Sequence, residues 1–221
     1  MDGASGVAAF DFDGTISRRD TLVPFLAKVA GPARFAGICS RLGLSGVRGR
    51  TNIRDRDEVK EQMIRLLFAG RSEDELRSRG ERYARDLLSD SLRPMVVDRI
   101  HRHRDLGHRS VIVSASLVYY LEPLARELSM DGVIGVEPEV VEGRLTGELA
   151  RPNVRAEEKA VRLREWLGAP PAGPLGHRLW GYGNTSGDHA LLALSHRAYW
   201  LGRPGKVPDG AELLTPESPL D

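Results

Sequence analysis

The chain has 221 residues, which is enough for one full-sized domain or for a core domain with a modest insertion. Hydrophobic residues make up 41% of it, an ordinary globular share that excludes a chain disordered throughout. Because 32 Lys and Arg residues face 31 Asp and Glu residues, the net charge of +1 gives no electrostatic reason to expect nucleic acid or an anionic membrane as the main partner.

The sequence carries no sign of an oxidising or membrane environment. Its single cysteine, Cys39, excludes an internal disulfide and belongs to no metal-binding spacing. The first residues lack the basic and apolar regions of a signal peptide, and no apolar run reaches the roughly 18 residues of a membrane span. We therefore expect a cytoplasmic protein with no stable membrane association, and the oligomeric state is left open.

The first predicted element is a short buried strand over residues 7–10, which stops at the acidic turn Asp11-Phe12-Asp13-Gly14-Thr15. From 21 to 93 the pattern changes, because apolar residues recur at helical spacing and no alternating strand pattern interrupts them. The first such repeat consists of Leu22, Phe25, Leu26 and Val29. The segment 21–93 is therefore interpreted as an all-helical insertion.

An α/β pattern resumes after the insertion. The predicted elements are helices over 95–104, 117–128, 156–167 and 188–195, strands over 110–113, 132–136, 179–182 and 198–201, and a hairpin over 138–148. Strands that alternate with helices predict a Rossmann-like α/β fold, whose parallel sheet is covered on both faces. We assign 1–20 and 94–202 to this core, 21–93 to the helical insertion and 203–221 to a Pro- and Gly-rich tail.

Polar residues follow several of the predicted strands. Asp11 and Asp13 come after the first strand, Ser114 after the second, and the polar segment 183–188 after a later one. The carboxyl ends of parallel strands meet at one edge of a sheet, and ligands bind at that edge. These residues, distant in sequence, are therefore predicted to form one site.

Asp11 and Asp13 indicate phosphoryl chemistry. Two carboxylates this close repel each other unless a proton or a cation lies between them, and Mg²⁺ bound to carboxylates and to a substrate phosphate meets that need. Asp11 is then a candidate nucleophile and Asp13 a candidate general acid and base. Gly14 permits close backbone approach, and Thr15 offers a hydroxyl and an amide to phosphate oxygens. A solvated turn is the alternative for an isolated pair of this kind.

The motif Phe10-Asp11-Phe12-Asp13-Gly14-Thr15 resembles the first motif of the haloacid dehalogenase (HAD) superfamily. The run 111–116 resembles the second motif, which implies that Ser114, with Ala115 beside it, binds the transferring phosphoryl group. Lys159 matches the lysine of the third motif, whose ammonium offsets negative charge on the aspartate and phosphoryl oxygens. The resemblance spans nearly the whole chain and implies the HAD fold, with the helical insertion as a cap between the first two motifs.

The segment 183–188 resembles the fourth, acidic motif of the superfamily, with one departure. The motif commonly begins with a magnesium-binding Asp, whereas this chain has Asn184, a neutral oxygen ligand. The resemblance implies a metal site at Asp11, the Asp13 backbone carbonyl and Asn184, with Asp188 close by or behind the ligands.

The position of the cap is similar to that in the subgroup that includes the phosphoserine phosphatases. Asp20 falls where those enzymes carry a Glu that reads the substrate amine, although an Asp at a helix start is an equal alternative. In the cap, Arg56 is a candidate to bind a substrate carboxylate or second phosphate, as are Arg54 and Lys60, and an exposed charged helix face is the alternative for each.

The sequence therefore predicts a magnesium-dependent phosphatase that acts on a small-molecule phosphomonoester. Phosphoserine, a sugar or polyol phosphate and a lipid phosphate head group remain open as substrates. Two alternatives are a phosphotransferase or mutase of the same superfamily and a catalytically inactive phosphate-binding regulatory protein.

Overall fold

The computed structural model describes residues 6–42 and 53–220, and it describes their side chains except those of 53–57. The strands are β1 (Gly6–Phe10), β2 (Arg109–Leu117), β3 (Gly132–Val136), β4 (Pro138–Val141), β5 (Arg144–Leu149), β6 (Arg178–Gly183), β7 (Arg197–Trp200) and β8 (Ala211–Leu213). The helices are α1 (Leu22–Ala30), α2 (Pro32–Arg41), α3 (Ile53–Phe68), α4 (Glu73–Asp90), α5 (Pro94–Asp105), α6 (Val118–Glu127), α7 (Glu157–Leu167) and α8 (His189–Leu194).

Within the described part of the chain, six parallel strands form one sheet in the order β3-β2-β1-β6-β7-β8, and β4 and β5 pair as a separate hairpin. Helices separate most of the parallel strands along the chain, because parallel neighbours need a crossover connection. The predicted α/β parallel-sheet architecture is therefore confirmed.

β1 lies inside the sheet, and its alternate side chains reach two different cores. Ala8 and Phe10 pack in a core that also contains residues of α5 and α6. Val7 and Ala9 pack in a second core with residues of α7 and α8. Because successive side chains of a strand point to opposite faces, a strand covered on both faces must be apolar at every position. This explains why the run 7–10 shows no alternation.

α1 to α4 lie between β1 and β2, and the chain leaves and re-enters the sheet at one crossing point. Arg18 N donates to Ser91 O at 2.9 Å, and Arg93 N donates to Ile16 O at 2.8 Å. The segment that leaves the sheet before α1 and the segment that returns to it after α4 are thus hydrogen-bonded to each other.

The β4–β5 hairpin contacts the insertion at the turn between α3 and α4. Gly70 N donates to Leu145 O at 2.8 Å, Leu145 N donates to Arg71 O at 2.9 Å, and Glu73 N donates to Gly143 O at 3.0 Å. The insertion is therefore held at this turn as well as at the crossing point.

Two elements differ from the sequence prediction. β2 continues to Leu117, beyond the predicted end at 113, and pairs with Val136 after a register shift. The segment 203–221, predicted as a tail, contributes β8 to the sheet, because Ala211 to Leu213 pair with β7. A strand of three residues among Pro and Gly leaves no periodicity for a sequence to reveal.

Among the described residues, no single helix is long and apolar enough to span a membrane; α1 and α2 reach that composition only as a pair bent by 116°.

Candidate active site

Asp11 directly follows β1 and occupies the base of the site. Its backbone N–H donates to Tyr182 O at 2.9 Å, which fixes the end of β1 against β6. Its carboxylate is 6% exposed and accepts hydrogen bonds on both oxygens, from Lys159 Nζ to Oδ1 at 2.6 Å and from Thr15 Oγ1 to Oδ2 at 3.0 Å. The sequence assigned the Thr15 hydroxyl to phosphate. The structure corrects this, because Thr15 is fully buried and its hydroxyl orients Asp11 instead.

Lys159, near the start of α7, lies between two carboxylates. Its Nζ is 2.6 Å from Asp11 Oδ1 and 2.6 Å from Asp188 Oδ1. Burial opposes the ammonium charge, but the two carboxylates outweigh it and raise the pKa of Lys159 above its usual value. One cation thus serves two buried anions.

The ionised form of Asp188 is stabilised more than that of Asp11. Its Oδ2 accepts hydrogen bonds from Asn184 N at 3.0 Å, Thr185 N at 2.8 Å and Thr185 Oγ1 at 3.1 Å. Although burial favours the neutral acid, Lys159 and these donors keep the pKa of Asp188 below its usual value. Burial, reinforced by the charge of Asp188, instead raises the pKa of Asp11 to about 7. Asp11 is therefore the carboxylate whose negative charge lacks a full counter-charge.

The Asp13 side chain points toward the insertion. Its Oδ1 accepts from Thr21 N at 2.8 Å and from Thr21 Oγ1 at 2.6 Å, and its Oδ2 accepts from Ser116 Oγ at 2.5 Å. Burial and the charge of Asp20 raise the pKa of Asp13, against the opposing effect of these hydrogen bonds. Asp13 therefore favours the protonated form more than an exposed Asp does. Sequence reasoning missed Ser116 and Thr21, whose roles depend on the route of the chain after the motifs.

Ser114 lies on β2 beside β1, with 1% of its surface exposed, and its Oγ accepts the N–H of Ser116 at 3.2 Å. Ala115 contributes its backbone, because its carbonyl accepts a hydrogen bond from Lys60 of α3. The predicted convergence of residues after β1, β2 and β6 is present: all of Asp11, Asp13, Ser114, Asn184 and Asp188 line one cavity.

Asn184 packs directly over Gly14. A Cβ atom on Gly14 would lie 2.1 Å from Asn184 Nδ2, and Gly14 has a φ of +84°, so this position requires glycine twice over. Asn184 Oδ1 is buried and, within the described part of the chain, has no hydrogen-bond partner. A buried oxygen of this kind costs free energy unless a ligand satisfies it.

These residues fit a magnesium ion. No group of three or more His, Cys, Asp and Glu residues among those described is arranged for a metal, so carboxylates alone do not make the site. Mg²⁺, however, is bound in proteins by one or two carboxylates together with neutral oxygens, waters and substrate phosphate. Asp11 shares the charge of Lys159 with Asp188, and Asn184 Oδ1 has no hydrogen-bond partner among the described residues. Asp188 accepts four hydrogen bonds, whereas Asp11 accepts two, so the geometry of Asp188 favours orienting Lys159 and the loop over direct ligation.

Asp20 and Arg56 were predicted to bind the substrate's leaving group, and the structure describes the side chain of Asp20 but not that of Arg56. Asp20 lines the cavity, but its Oδ1 accepts the N–H of Val23 at 3.1 Å and so caps the start of α1. Arg56 belongs to α3, and its side chain lies outside the described residues. Lys60, which the sequence offered together with Arg56, lines the cavity, and so does Arg155, which the sequence did not single out. Their positions depend on how α3 and the loop before α7 pack, which no local pattern records.

The cavity has a volume of about 650 Å³ and lies between the carboxyl edge of the sheet and the helices α1 and α3. This is within the usual range for small-molecule sites. The arrangement supplies a buried carboxylate with an adjacent ammonium, hydroxyl and amide groups, and a second, protonation-prone carboxyl. These are the groups that transfer of a phosphoryl group to a carboxylate requires.

Comparison with known proteins shows which family the chain is similar to. Residues 8–193 match the model of the haloacid dehalogenase-like hydrolase family. Protein CicA of Caulobacter vibrioides is 33% identical over 190 residues, which cover 86% of this chain and 82% of that protein. A phosphoserine phosphatase of Archaeoglobus fulgidus is 30% identical over 157 residues, 71% of this chain but 41% of that protein.

A crystal structure of a protein with unknown function from Bordetella pertussis Tohama I is 25% identical and superposes with a TM-score of 0.73, covering 91% of this chain and 92% of the other. The family match extends from β1 to α8 and therefore contains every predicted motif. The chain belongs to the haloacid dehalogenase-like hydrolase family and is a phosphatase that resembles the phosphoserine phosphatases of that family.

Proposed function

We propose that this enzyme is a magnesium-dependent phosphatase that hydrolyses a small phosphomonoester through an aspartyl-phosphate on Asp11. The observation that supports this most directly is the state of Asp11, a buried carboxylate 2.6 Å from Lys159 Nζ. It faces a cavity in which the buried Asn184 Oδ1 has no partner among the described residues. A structural ion pair would not need an accessible cavity or a second, unsatisfied oxygen.

In the first step, an Asp11 carboxylate oxygen attacks phosphorus, and the bond between phosphorus and the ester oxygen breaks. The leaving oxygen takes a proton from Asp13, whose raised pKa favours the acid form. To deliver this proton, the Asp13 carboxyl exchanges its hydrogen bond with Ser116 for one with the ester oxygen. Lys159 and the Ser114 hydroxyl stabilise the charge that develops on the phosphoryl oxygens.

In the second step, water attacks the phosphorus of the aspartyl-phosphate while Asp13, now ionised, accepts the water proton. The bond between phosphorus and the Asp11 oxygen breaks, inorganic phosphate leaves, and both carboxyl groups return to their initial states. Thr15 and Lys159 hold Asp11 in one orientation through both steps.

Asp11, the Asp13 backbone carbonyl and Asn184 would hold the magnesium ion, with Asp188 behind them. A bound Mg²⁺ supplies positive charge that offsets the phosphate and Asp11 charges during attack. The neutral Asn184 contributes no negative charge to this set, so it would neutralise less of the ion's charge than an Asp at that position.

We further propose that residues 1–20 and 94–202, together with β8, form the catalytic core, and that 21–93 form a cap over the site. α1 and α3 line the side of the cavity opposite the strand ends. A cap in this position excludes bulk water from the first step and selects the leaving group.

The decisive experiment measures phosphate release from a panel of phosphomonoesters with and without Mg²⁺. Wild type should release phosphate only with Mg²⁺, and Asp11→Asn should release none. Asp98→Asn, on the exposed face of α5, makes the same change outside the site and should act like wild type. A fully active Asp11→Asn enzyme would refute the mechanism, and transfer to a second substrate without phosphate release would favour a mutase.

A further inference from the structure

The two sides of the active-site cavity have opposite character. The side formed by the strand ends is polar and charged. The opposite side is formed by α1 and α3 and is lined with apolar side chains, which are Leu22, Val23, Leu26, Val59 and Met63. Val23 is 48% exposed and therefore presents apolar surface to the cavity.

Two charged residues on this side, Asp20 and Lys60, make hydrogen bonds within the protein. Asp20 Oδ1 accepts the N–H of Val23 at 3.1 Å. Lys60 Nζ donates to the Ala115 carbonyl and to Asn153 Oδ1, the latter at 2.8 Å. An amino acid or a polyol placed here would lose water from its ammonium, carboxylate or hydroxyl groups and face mostly hydrocarbon in return, which costs free energy.

On this basis, and resting on the proposed phosphatase function, we propose that α1 and α3 form an apolar subsite for the leaving group. The substrate class is a phosphomonoester whose alcohol carries a hydrocarbon segment. Its phosphate would lie at Asp11 and Lys159. Its hydrocarbon would lie against Val23 and Val59, since Leu22, Leu26 and Met63 are buried. The cavity of about 650 Å³ exceeds the needs of a short polar ester and has room for such a segment.

The experiment measures kcat/KM for ethyl, butyl and hexyl phosphate and for O-phosphoserine, with Mg²⁺ present. Each added methylene that becomes buried should raise kcat/KM about fourfold, which corresponds to about 0.8 kcal/mol, until the subsite is full. O-phosphoserine should fall below butyl phosphate. Lysophosphatidate in mixed micelles tests whether the hydrocarbon belongs to a lipid, and its turnover alongside hexyl phosphate would indicate a lipid source.

Val23→Ser should reduce the gain from ethyl to hexyl phosphate, because it replaces apolar surface in the subsite without disturbing buried packing. Val161→Ser is the matched control, since Val161 lies on α7, is 47% exposed and lines no part of this cavity. It should leave the chain-length dependence unchanged.

Two outcomes separate failure of this inference from failure of the proposed function. Magnesium-dependent turnover with no dependence on chain length, or with O-phosphoserine preferred, would overturn the apolar subsite and leave the phosphatase intact. If no ester is hydrolysed, the subsite can still be tested, because calorimetry measures the binding of ethyl- and hexylphosphonate without turnover. Tighter binding of hexylphosphonate would then support the subsite while the hydrolytic function fails, and equal binding would overturn both.

Discussion

Lys159 Nζ lies 2.6 Å from Asp11 Oδ1, and both side chains are less than a tenth exposed. A buried pair of this kind is not held mainly for stability, because desolvating the two charges offsets much of their attraction. In the proposed mechanism, the pair fixes the nucleophilic carboxylate next to the place where the phosphoryl group binds. The pair therefore links the fold to the chemistry.

Lys159→Met should lower kcat by at least about a hundredfold, because it removes the donor that stabilises charge on the phosphoryl oxygens. It should also lower the free energy of unfolding by about 3–5 kcal/mol, since Asp11 and Asp188 are left buried without a cation. Lys28→Met removes an exposed lysine that pairs with Asp86 and should cost about 0–1 kcal/mol. Steady-state kinetics and urea unfolding of both variants check this, and equal effects of the two changes would contradict it.

Asn184→Asp should increase Mg²⁺ affinity at least about tenfold, because a charged oxygen replaces a neutral one at a ligand position. Without Mg²⁺ the variant should be less stable than wild type, since it adds an anion near Asp11, and Mg²⁺ should restore the loss. Calorimetric titration and thermal unfolding with and without Mg²⁺ measure both effects. Asn153→Asp makes the same change beside Lys60, away from the proposed ligands, and should alter affinity much less. Unchanged affinity in Asn184→Asp would remove Asn184 from the metal site.

Gly14→Ala should abolish turnover, because its Cβ would displace the Asn184 side chain and its φ of +84° disfavours any residue but glycine. Gly107→Ala separates the two causes. Gly107 has a φ of +74° but nothing within 4 Å of its would-be Cβ, so this variant should lose about 1–2 kcal/mol of stability and keep its activity. Phosphate release and thermal unfolding test both variants, and normal turnover in Gly14→Ala would refute the close packing of Asn184.

Acid should destabilise the fold through His103 of α5, which is fully buried and lies 2.7 Å from Tyr182 Oη and 2.9 Å from His108 Nδ1. Burial, with smaller effects from His108 and Arg99, lowers the pKa of His103 to about 3. An unfolded histidine has a pKa of about 6.5, so the unfolded chain binds more protons between about pH 3 and 6.5. The free energy of unfolding therefore falls as pH drops through this window, by about 1.4 kcal/mol per pH unit from this group.

Urea unfolding at several pH values between 4 and 7 measures this slope. His103→Gln should flatten it relative to wild type, whatever the variant does to stability at neutral pH. His101→Gln changes a partly exposed histidine on the same helix and should preserve the slope. A His103→Gln slope identical to that of wild type would show that other groups cause the acid dependence.

The sheet was predictable because its strands are short apolar runs that end at polar residues. Residues 7–10 and Gly132–Val136 are each a short run without polar side chains, which a sequence pattern detects. β8 left none, since a three-residue edge strand is defined by its pairing with β7 and not by its own composition. The end of β2 was missed because Ser114, Ala115 and Ser116, which precede its last residue, are polar or small.

The base of the site was predictable from topology, since parallel strands bring Asp11, Ser114 and Asn184 to one edge. The hydrogen-bond partners within it were not. Thr15 bonds to Asp11 and not to an open phosphate position because the turn after β1 buries its hydroxyl. In the sequence, Lys60 is one of several charged residues on a helix. Its hydrogen bond to the Ala115 carbonyl depends on how α3 packs in the fold.

The β4–β5 hairpin has a consequence for how such enzymes diverge. It continues from β3 in the core, yet its backbone is hydrogen-bonded to the turn between α3 and α4. Gly147, at a φ of +96°, packs so closely that an added Cβ would lie 3.2 Å from the Arg65 backbone. The insertion is therefore not a freely exchangeable module. Recombination that transferred 21–93 without 138–149 would disrupt this contact. We therefore expect substitutions in the two segments to be correlated among related enzymes.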